Sequence, residues 1–297
     1  MAAASEINSF LDYLRHERNY SELTVEQYGK DLESFLAYLT ATDTAAGLLS
    51  ADTDMVRGWM EVMMEKGNKA SSVSRRLSSL RTFYKYAMMA GLVEHNPAHS
   101  VRAPKKGHPL PQFVREAEMD ELLGEEMWSD TFKDVRARTL LLVFYSTGMR
   151  LSELISLDDN MVDFVSREIR VTGKRNKQRI IPFGDELSAA LQSYITRRDD
   201  EVPRQSSALF VTAGGERMNR NKVRYEVVKW LTKVTTLRKR TPHVLRHTFA
   251  TAMLNHDAGL ESVKKLLGHE SLTTTEIYTH ATFEQLKRVY NSAHPRA

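Results

Sequence analysis

Cysteine is absent from the 297 residues, which excludes disulfides, thiolate metal sites and a cysteine nucleophile. No stretch approaches the roughly eighteen consecutive apolar residues that a membrane span requires. The start, Met1-Ala-Ala-Ala-Ser-Glu6, has neither the basic region nor the apolar core of a secretion signal, so a soluble cytoplasmic protein is expected. Internal repeats and low-complexity tracts are also missing. With 41% hydrophobic residues, the chain has enough apolar material for one large domain or two modest ones, and two are expected.

The formal net charge of +4 is small, but its distribution is uneven. From Met1 to Asn68, 5 Lys/Arg face 12 Asp/Glu, a balance of −7. From Lys69 to Lys106, 8 Lys/Arg face the single Glu94, a balance of +7. A second basic concentration, Arg217 to Arg246, sets 10 Lys/Arg against Glu226. Two such concentrations fit two surfaces on one polyanion, because phosphate neutralisation with counterion release supplies most non-specific DNA affinity. Taken alone, they fit two solvated helix faces equally well.

Residues 5 to 95 read as helices. Val25, Tyr28, Leu32, Phe35, Leu36 and Leu39 repeat at helical spacing after a Ser21/Thr24 start, and Met55-Val56 to Met63-Met64 form a second stripe. From Ser71 to about Ala90, Val73, Leu77, Leu80, Tyr84 and Ala87 share one face. Opposite them fall Ser71, Ser74, Arg75, Ser78, Arg81, Thr82 and Lys85, short hydroxyls between long cations, as a phosphate backbone would require. Residues 96–111 hold four prolines with Arg102, Lys105 and Lys106 and show no apolar period, so a basic linker able to touch DNA is expected between a helical domain (1–95) and a second domain (112–297). In that second domain, helices are expected at 119–127, 136–145, 186–197, 220–233, 243–255, 260–267 and 272–280, with a tail from Phe283. Val162 to Phe164, Glu168 to Val171 and Arg179 to Pro182 read as short strands, the last two joined by Gly173-Lys174-Arg175-Asn176 as a basic hairpin.

Four stretches there carry chemistry. In Ser146-Thr-Gly-Met-Arg150-Leu-Ser-Glu153, a glycine breaks a helix just before an arginine, with a glutamate three residues on; alone, the pair is a routine ion pair. Gly173-Lys174 is a lysine at a turn, ordinarily just solvated. Pro242-His243-Val-Leu-Arg246-His247 puts His243 and Arg246 side by side on a helix. Leu267-Gly268-His269-Glu-Ser271 has a helix terminator and a cap, and leads to Tyr278.

The ordered set Arg150, Lys174, His243-x-x-Arg246, Leu-Gly-His269 and Tyr278 resembles the tyrosine recombinase, or phage integrase, family, most closely its Xer-type members. Thr24-x-x-x-Tyr28-x-x-Asp31-Leu32 resembles that family's core-binding domain, so the resemblance spans nearly the whole chain. It implies a mainly α fold with a small β-sheet, an all-helical N-terminal domain and an α+β catalytic domain, together forming a C-shaped clamp on double-stranded DNA. It further implies a homo- or hetero-tetramer on two paired sites, a tail helix docked on a neighbouring subunit, and no metal or cofactor. Resolution of chromosome dimers in cell division is the implied role, with an accessory or translocase protein of unspecified identity; integration of a mobile element is the alternative.

The chemistry of the residues fits this resemblance. Phosphodiester cleavage builds charge on non-bridging oxygens, and two fixed guanidiniums, Arg150 and Arg246, can take a metal's place there. A tyrosine with pKa about 10 is only ~0.1% ionised at pH 7, so Tyr278 needs a proton acceptor, His243, while His269 donates to the transition state. Lys174 can protonate the departing 5′-oxygen, with Lys177 as local competitor. Glu153 orients an arginine. DNA contacts are expected from Arg75, Ser78, Arg81, Lys85, Lys105, Lys106 and Arg220.

Three other readings compete. His243 and His247 could form half of a zinc site with His269 or His280, although the H-E-x-x-H glutamate is missing. A non-catalytic DNA-binding protein would keep both basic surfaces but has no use for Tyr278, Lys174 and His269 together. A relaxing topoisomerase would share the chemistry without a defined site, and the Xer-like N-terminal domain argues against it.

Overall fold

The computed structural model describes residues 2–43, 45–105, 107, 112–173, 177–268 and 280–297. The chain divides into two compact units, Met1–Pro109 and Leu110–Ala297.

The first unit is helical, with α1 Ala2–His16, α2 Glu22–Thr42, α3 Thr53–Glu65 and α4 Ala70–Met89. The apolar period of α2 is used as expected: Val25, Leu32, Phe35 and Leu39 are buried against Phe10 and Leu14 of α1, Trp59 of α3 and Leu77, Leu80 and Phe83 of α4. Each fully buried side chain of this size stabilises by about 1.5–3 kcal/mol. Asp52 caps α3, its carboxylate accepting from the Met55 amide at 2.8 Å. Asp31 is buried on the inner side of α2, where it accepts from both terminal nitrogens of Arg75, one at 2.8 Å, and from the Ser79 hydroxyl at 2.6 Å. The segment after α4 is bonded to the same unit. Ala98 and Val101 are buried in its core, and Arg81 donates to their carbonyls at 3.0 and 2.6 Å.

The second unit contains α5 Glu116–Leu123, α6 Phe132–Thr147, α7 Leu151–Ile155, β1 Val162–Asp163, β2 Glu168–Thr172, β3 Gln178–Pro182, α8 Asp185–Glu201, α9 Arg220–Val234, α10 Pro242–Asn255, α11 Leu260–Leu267 and α12 His280–Ala293. The strands form an antiparallel sheet in the order β1-β2-β3, with Val162 opposite Ile169 and Thr172 opposite Gln178. Helix α6 is buried along nearly its whole length. Its Leu140, Leu141, Val143 and Phe144 share a core with Leu187, Leu191 and Tyr194 of α8, Val227 and Leu231 of α9, and Leu245 of α10. Such all-round burial makes α6 the axis on which the surrounding helices are fixed. The mainly α fold with a small β-sheet is therefore as expected.

One helix differs from its expected course. The helix expected over 119–127 stops at Leu123, because Gly124 leaves the helical conformation, and only a 3-10 turn, Glu125–Met127, follows. The tail packs on its own domain. Leu286, Tyr290 and Ala293 of α12 are buried with Phe249 and Met253 of α10 and Val263, Leu266 and Leu267 of α11. An amphipathic helix of this length is stable only with its apolar face covered, and within one chain this cluster covers it. His294 locks the end: its Nε2 donates to the Tyr145 carbonyl at 3.1 Å, and its Nδ1 accepts from the Arg296 amide at 3.1 Å. Among the described residues, no helix is long and apolar enough to cross a membrane.

Candidate active site

The site is assembled where α6 ends, α7 and α10 begin and α11 ends. Gly148 terminates α6 in the left-handed conformation (φ 58°), and a Cβ there would lie 2.5 Å from the Phe249 ring and 2.8 Å from Leu267, so only glycine fits this corner. The chain then turns, making Arg150 the N-cap residue of α7 and Glu153 its third helical residue. Glu153 accepts from the Arg150 amide at 2.7 Å and from Arg150 Nη1 at 2.9 Å, so one carboxylate both caps the helix and holds the guanidinium.

Three consecutive carbonyls at the end of α11 each accept from a different arginine. Leu266 O takes Arg179 Nε at 3.0 Å, Leu267 O takes Arg246 Nη2 at 2.6 Å and Gly268 O takes Arg150 Nη2 at 2.9 Å. These are carbonyls that a helix end leaves without intrahelical partners, and the negative end of the helix dipole favours cations there. Arg246 Nη1 donates in addition to Gly148 O at 2.7 Å. The two arginines singled out by sequence are thereby joined to both glycine corners, Gly148 and Gly268.

Charge in the cluster is unbalanced. Arg150, Arg179 and Arg246 gather around Glu153, leaving a surplus of positive charge. Burial alone would raise the Glu153 pKa, but the hydrogen bonds and charge of Arg179, and then of Arg150, outweigh it and hold the carboxylate below its ordinary range. Arg246, 8% exposed, is pushed down to about 10 by burial and then by the charges of Arg150 and Arg179; it remains a cation at neutral pH. His243 lies in the first turn of α10. Partial dehydration, followed by the charges of His247, Arg246, Arg220 and Arg150, lowers its pKa, so its ring is neutral at pH 7. Arg220, the first residue of α9, is therefore close enough to act electrostatically on this site. An anion entering here meets fixed guanidiniums that need no reorganisation.

Lys174, His269 and Tyr278 lie outside the described residues, as does Lys106. Their described neighbours border the cluster. A Cβ on Gly173 would lie 3.7 Å from Glu153 Oε1, and the Gly173 amide donates to Lys177 O at 2.7 Å to close the hairpin. Gly268, which precedes His269, carries the carbonyl held by Arg150. Among the described residues, no group of three or more His, Cys, Asp or Glu could hold a metal ion.

The residues expected to contact DNA in the first unit are variously engaged. Arg75 is tied to Asp31, and Arg81 to the Ala98 and Val101 carbonyls. Ser78 donates to the Ser74 carbonyl at 3.0 Å while staying exposed, and Lys85 and Lys105 are exposed. Arg179 was missed by the motif reading. It alternates with Ile181 on the buried side of β3, and an arginine at an inward strand position was the available signal.

Two family models match the chain: the phage integrase family over residues 112–285 and the phage integrase N-terminal SAM-like domain over residues 7–91. The tyrosine recombinase XerC of Chlorobaculum tepidum is 36% identical, with 98% of this chain and 94% of the relative covered. XerC of Pelotomaculum thermopropionicum is 39% identical, with 98% of each covered, and the tyrosine recombinase XerD of Oceanobacillus iheyensis is 34% identical, again with 98% of each covered. Among solved structures, the XerH site-specific recombinase bound to a palindromic difH substrate has the same fold, with a TM-score of 0.71 at 21% identity over 95% of this chain and 83% of that one. The Tn1549 transposon integrase in complex with a circular intermediate DNA superposes with a TM-score of 0.70 at 20% identity over 89% and 91%. The arginine cluster, the two matched domains and the near full-length identity to XerC and XerD lead to one assignment: the chain belongs to the phage integrase family, as a site-specific tyrosine recombinase of the Xer type.

Proposed function

We propose that this recombinase cuts and rejoins double-stranded DNA in the cytoplasm through a 3′-phosphotyrosine, without a metal or ATP. Tyr278 Oη attacks the scissile phosphorus and gives its proton to His243, whose neutral ring can accept it. The bond to the 5′-oxygen breaks, and Lys174 protonates that oxygen as it leaves. Arg150 and Arg246 hold the non-bridging oxygens as charge builds on them, with His269 donating a further hydrogen bond. Attack by a second 5′-hydroxyl releases Tyr278 and restores a phosphodiester, so one high-energy bond is never lost and no ATP is consumed. Glu153 keeps Arg150 in place. Arg220 of the second unit, and separately Lys85, Lys105 and Lys106 of the first, contact the DNA outside the reacting phosphate, with Arg75, Ser78 and Arg81 supporting the first unit's contact.

The observation that carries this reading is the surplus of guanidinium charge around Glu153, held by carbonyls at two glycine corners and adjoining a neutral His243. We infer further that it acts as a homo- or hetero-tetramer on two paired sites, in the resolution of chromosome dimers, the role that the sequence resemblance implies. The test is recombination itself. A target duplex is recovered by selection from random DNA, and two copies are placed on one plasmid. Resolution into two circles in excess chelator and without ATP supports the reading; strict dependence on added zinc or magnesium contradicts it.

A further inference from the structure

Arg179 lies in neither the motif set nor the proposed chemical steps, yet it is the most enclosed of the three arginines. It is 7% exposed, and all three of its donor nitrogens are engaged: Nε with Leu266 O at 3.0 Å, Nη1 with Glu153 Oε1 at 2.6 Å and Nη2 with Glu153 Oε2 at 2.9 Å. Three of its five N–H groups are engaged, and the side chain is enclosed by the partners it bonds, so little of it is presented to a substrate. The Arg150 side chain is 29% exposed and so presents part of its guanidinium outward.

The two arginines share one carboxylate. Oε1 accepts from Arg179 Nη1 and Arg150 Nη1, and Oε2 accepts from Arg179 Nη2 and the Arg150 amide. They also share one helix end, Arg179 bonding Leu266 O and Arg150 bonding Gly268 O. The result is a closed ring of hydrogen bonds joining β3, α7 and the end of α11. Glycine suits the last of these, since residue 268 is left-handed (φ 64°) and a Cβ there would stand 3.1 Å from Arg179 Cδ, a tight approach. Remove Arg179, and both oxygens of a buried carboxylate become available to Arg150. A bidentate Arg–carboxylate pair is the favoured geometry for such partners, and forming it would turn Arg150 Nη2 away from Gly268.

We propose that Arg179 is a positioning residue for DNA cleavage: by occupying Glu153 bidentately and bonding Leu266, it holds Arg150 at the orientation that meets the scissile phosphate. The inference rests on the recombinase reading above. Arg179 acts through Arg150 and touches no substrate.

The test compares DNA binding with single-turnover cleavage in the full chain for Arg179→Met, Arg179→Lys, Arg150→Ala and the double variant Arg179→Met/Arg150→Ala. Arg179→Met is expected to bind DNA as the unaltered chain does and to cleave on the order of a hundredfold more slowly, the usual cost of a misplaced reacting group. Arg179→Lys, which keeps the charge and one bond to Glu153, recovers part of the rate. In the Arg150→Ala background, Arg179→Met adds less than about a threefold loss, since residues acting through one another are non-additive. A merely structural arginine would instead give the same fold loss in both backgrounds, and that result, or normal cleavage by Arg179→Met, overturns the proposal. If Arg179→Met melts well below the unaltered chain, Arg179→Gln/Glu153→Gln, which removes the unpaired charge, is compared with Glu153→Gln alone; slower cleavage than Glu153→Gln with intact binding supports the proposal and equal rates overturn it. No cleavage by the unaltered chain would overturn the recombinase reading and this inference with it, whereas cleavage by that chain with no loss in Arg179→Met overturns the inference alone.

Discussion

Arg150 and Arg246 donate to adjacent carbonyls of one helix end, Gly268 O at 2.9 Å and Leu267 O at 2.6 Å. Elements far apart in sequence thus hold two guanidiniums at a fixed separation, a geometry suited to one phosphate with two non-bridging oxygens.

If this pair stabilises the transition state, Arg150→Ala or Arg246→Ala lowers the cleavage rate on the order of a hundredfold or more while DNA affinity falls far less. Single-turnover cleavage beside equilibrium binding checks this. Equal losses in both would make the two arginines binding groups only.

The depressed pKa of His243 sets a pH profile. The neutral ring is the proton acceptor, so the acid limb of cleavage has its midpoint below the ordinary histidine value of 6.5. Arg220 is one of the charges lowering that pKa, so Arg220→Ala moves the acid limb upward. A limb at or above 6.5 in the unaltered chain, or no movement in Arg220→Ala, contradicts the assignment of His243.

The arginine cluster shows what a sequence can disclose and where its reach ends. Arg150, Glu153 and Arg246 were legible because the ordered motifs that hold them resemble those of a known family; the glycine and the three-residue spacings beside them, taken alone, gave only a routine ion pair. Arg179 was not, because an inward-facing arginine on a five-residue strand inverts the usual burial preference, and its justification, Glu153, comes from another element. The polar face of α4 was legible only in part. Periodicity identified that face correctly, but the partners of Arg75 and Arg81 arrive from Asp31 and from the segment after α4, which no single-helix pattern contains. The apolar face of α12 was likewise readable, while the surface that covers it was not.

His294 makes the tail a pH-dependent part of the fold. Burial lowers its pKa to about 4, with the charge of Arg296 adding to the effect and the bond to Tyr145 opposing it. A group whose folded pKa is depressed contributes stability that is fully present above its unfolded pKa, about 6.5, and lost as pH falls through the folded value. The span corresponds to on the order of 3 kcal/mol. Thermal melting from pH 7 to pH 4 should show a steeper loss in the unaltered chain than in His294→Gln; parallel curves would remove His294 from this role.

Lys174 is assigned as the general acid, with exposed Lys177 as its neighbour at the hairpin. A substrate carrying sulfur at the 5′-bridging position has a leaving group that scarcely needs a proton. It should restore cleavage to Lys174→Ala and not to Lys177→Ala. The reverse pattern exchanges their roles.

The central claim is that Tyr278 becomes covalently joined to DNA, and the most direct measurement is recovery of that adduct. A nicked duplex carrying the selected target site, which loses its 5′-hydroxyl strand on cleavage, is incubated with the protein in excess chelator, digested and sequenced by mass spectrometry. The account predicts a 3′-phosphonucleotide on the peptide containing Tyr278, and none from Tyr278→Phe, which still binds the duplex. An adduct that persists in Tyr278→Phe, or that maps to another residue, would contradict it.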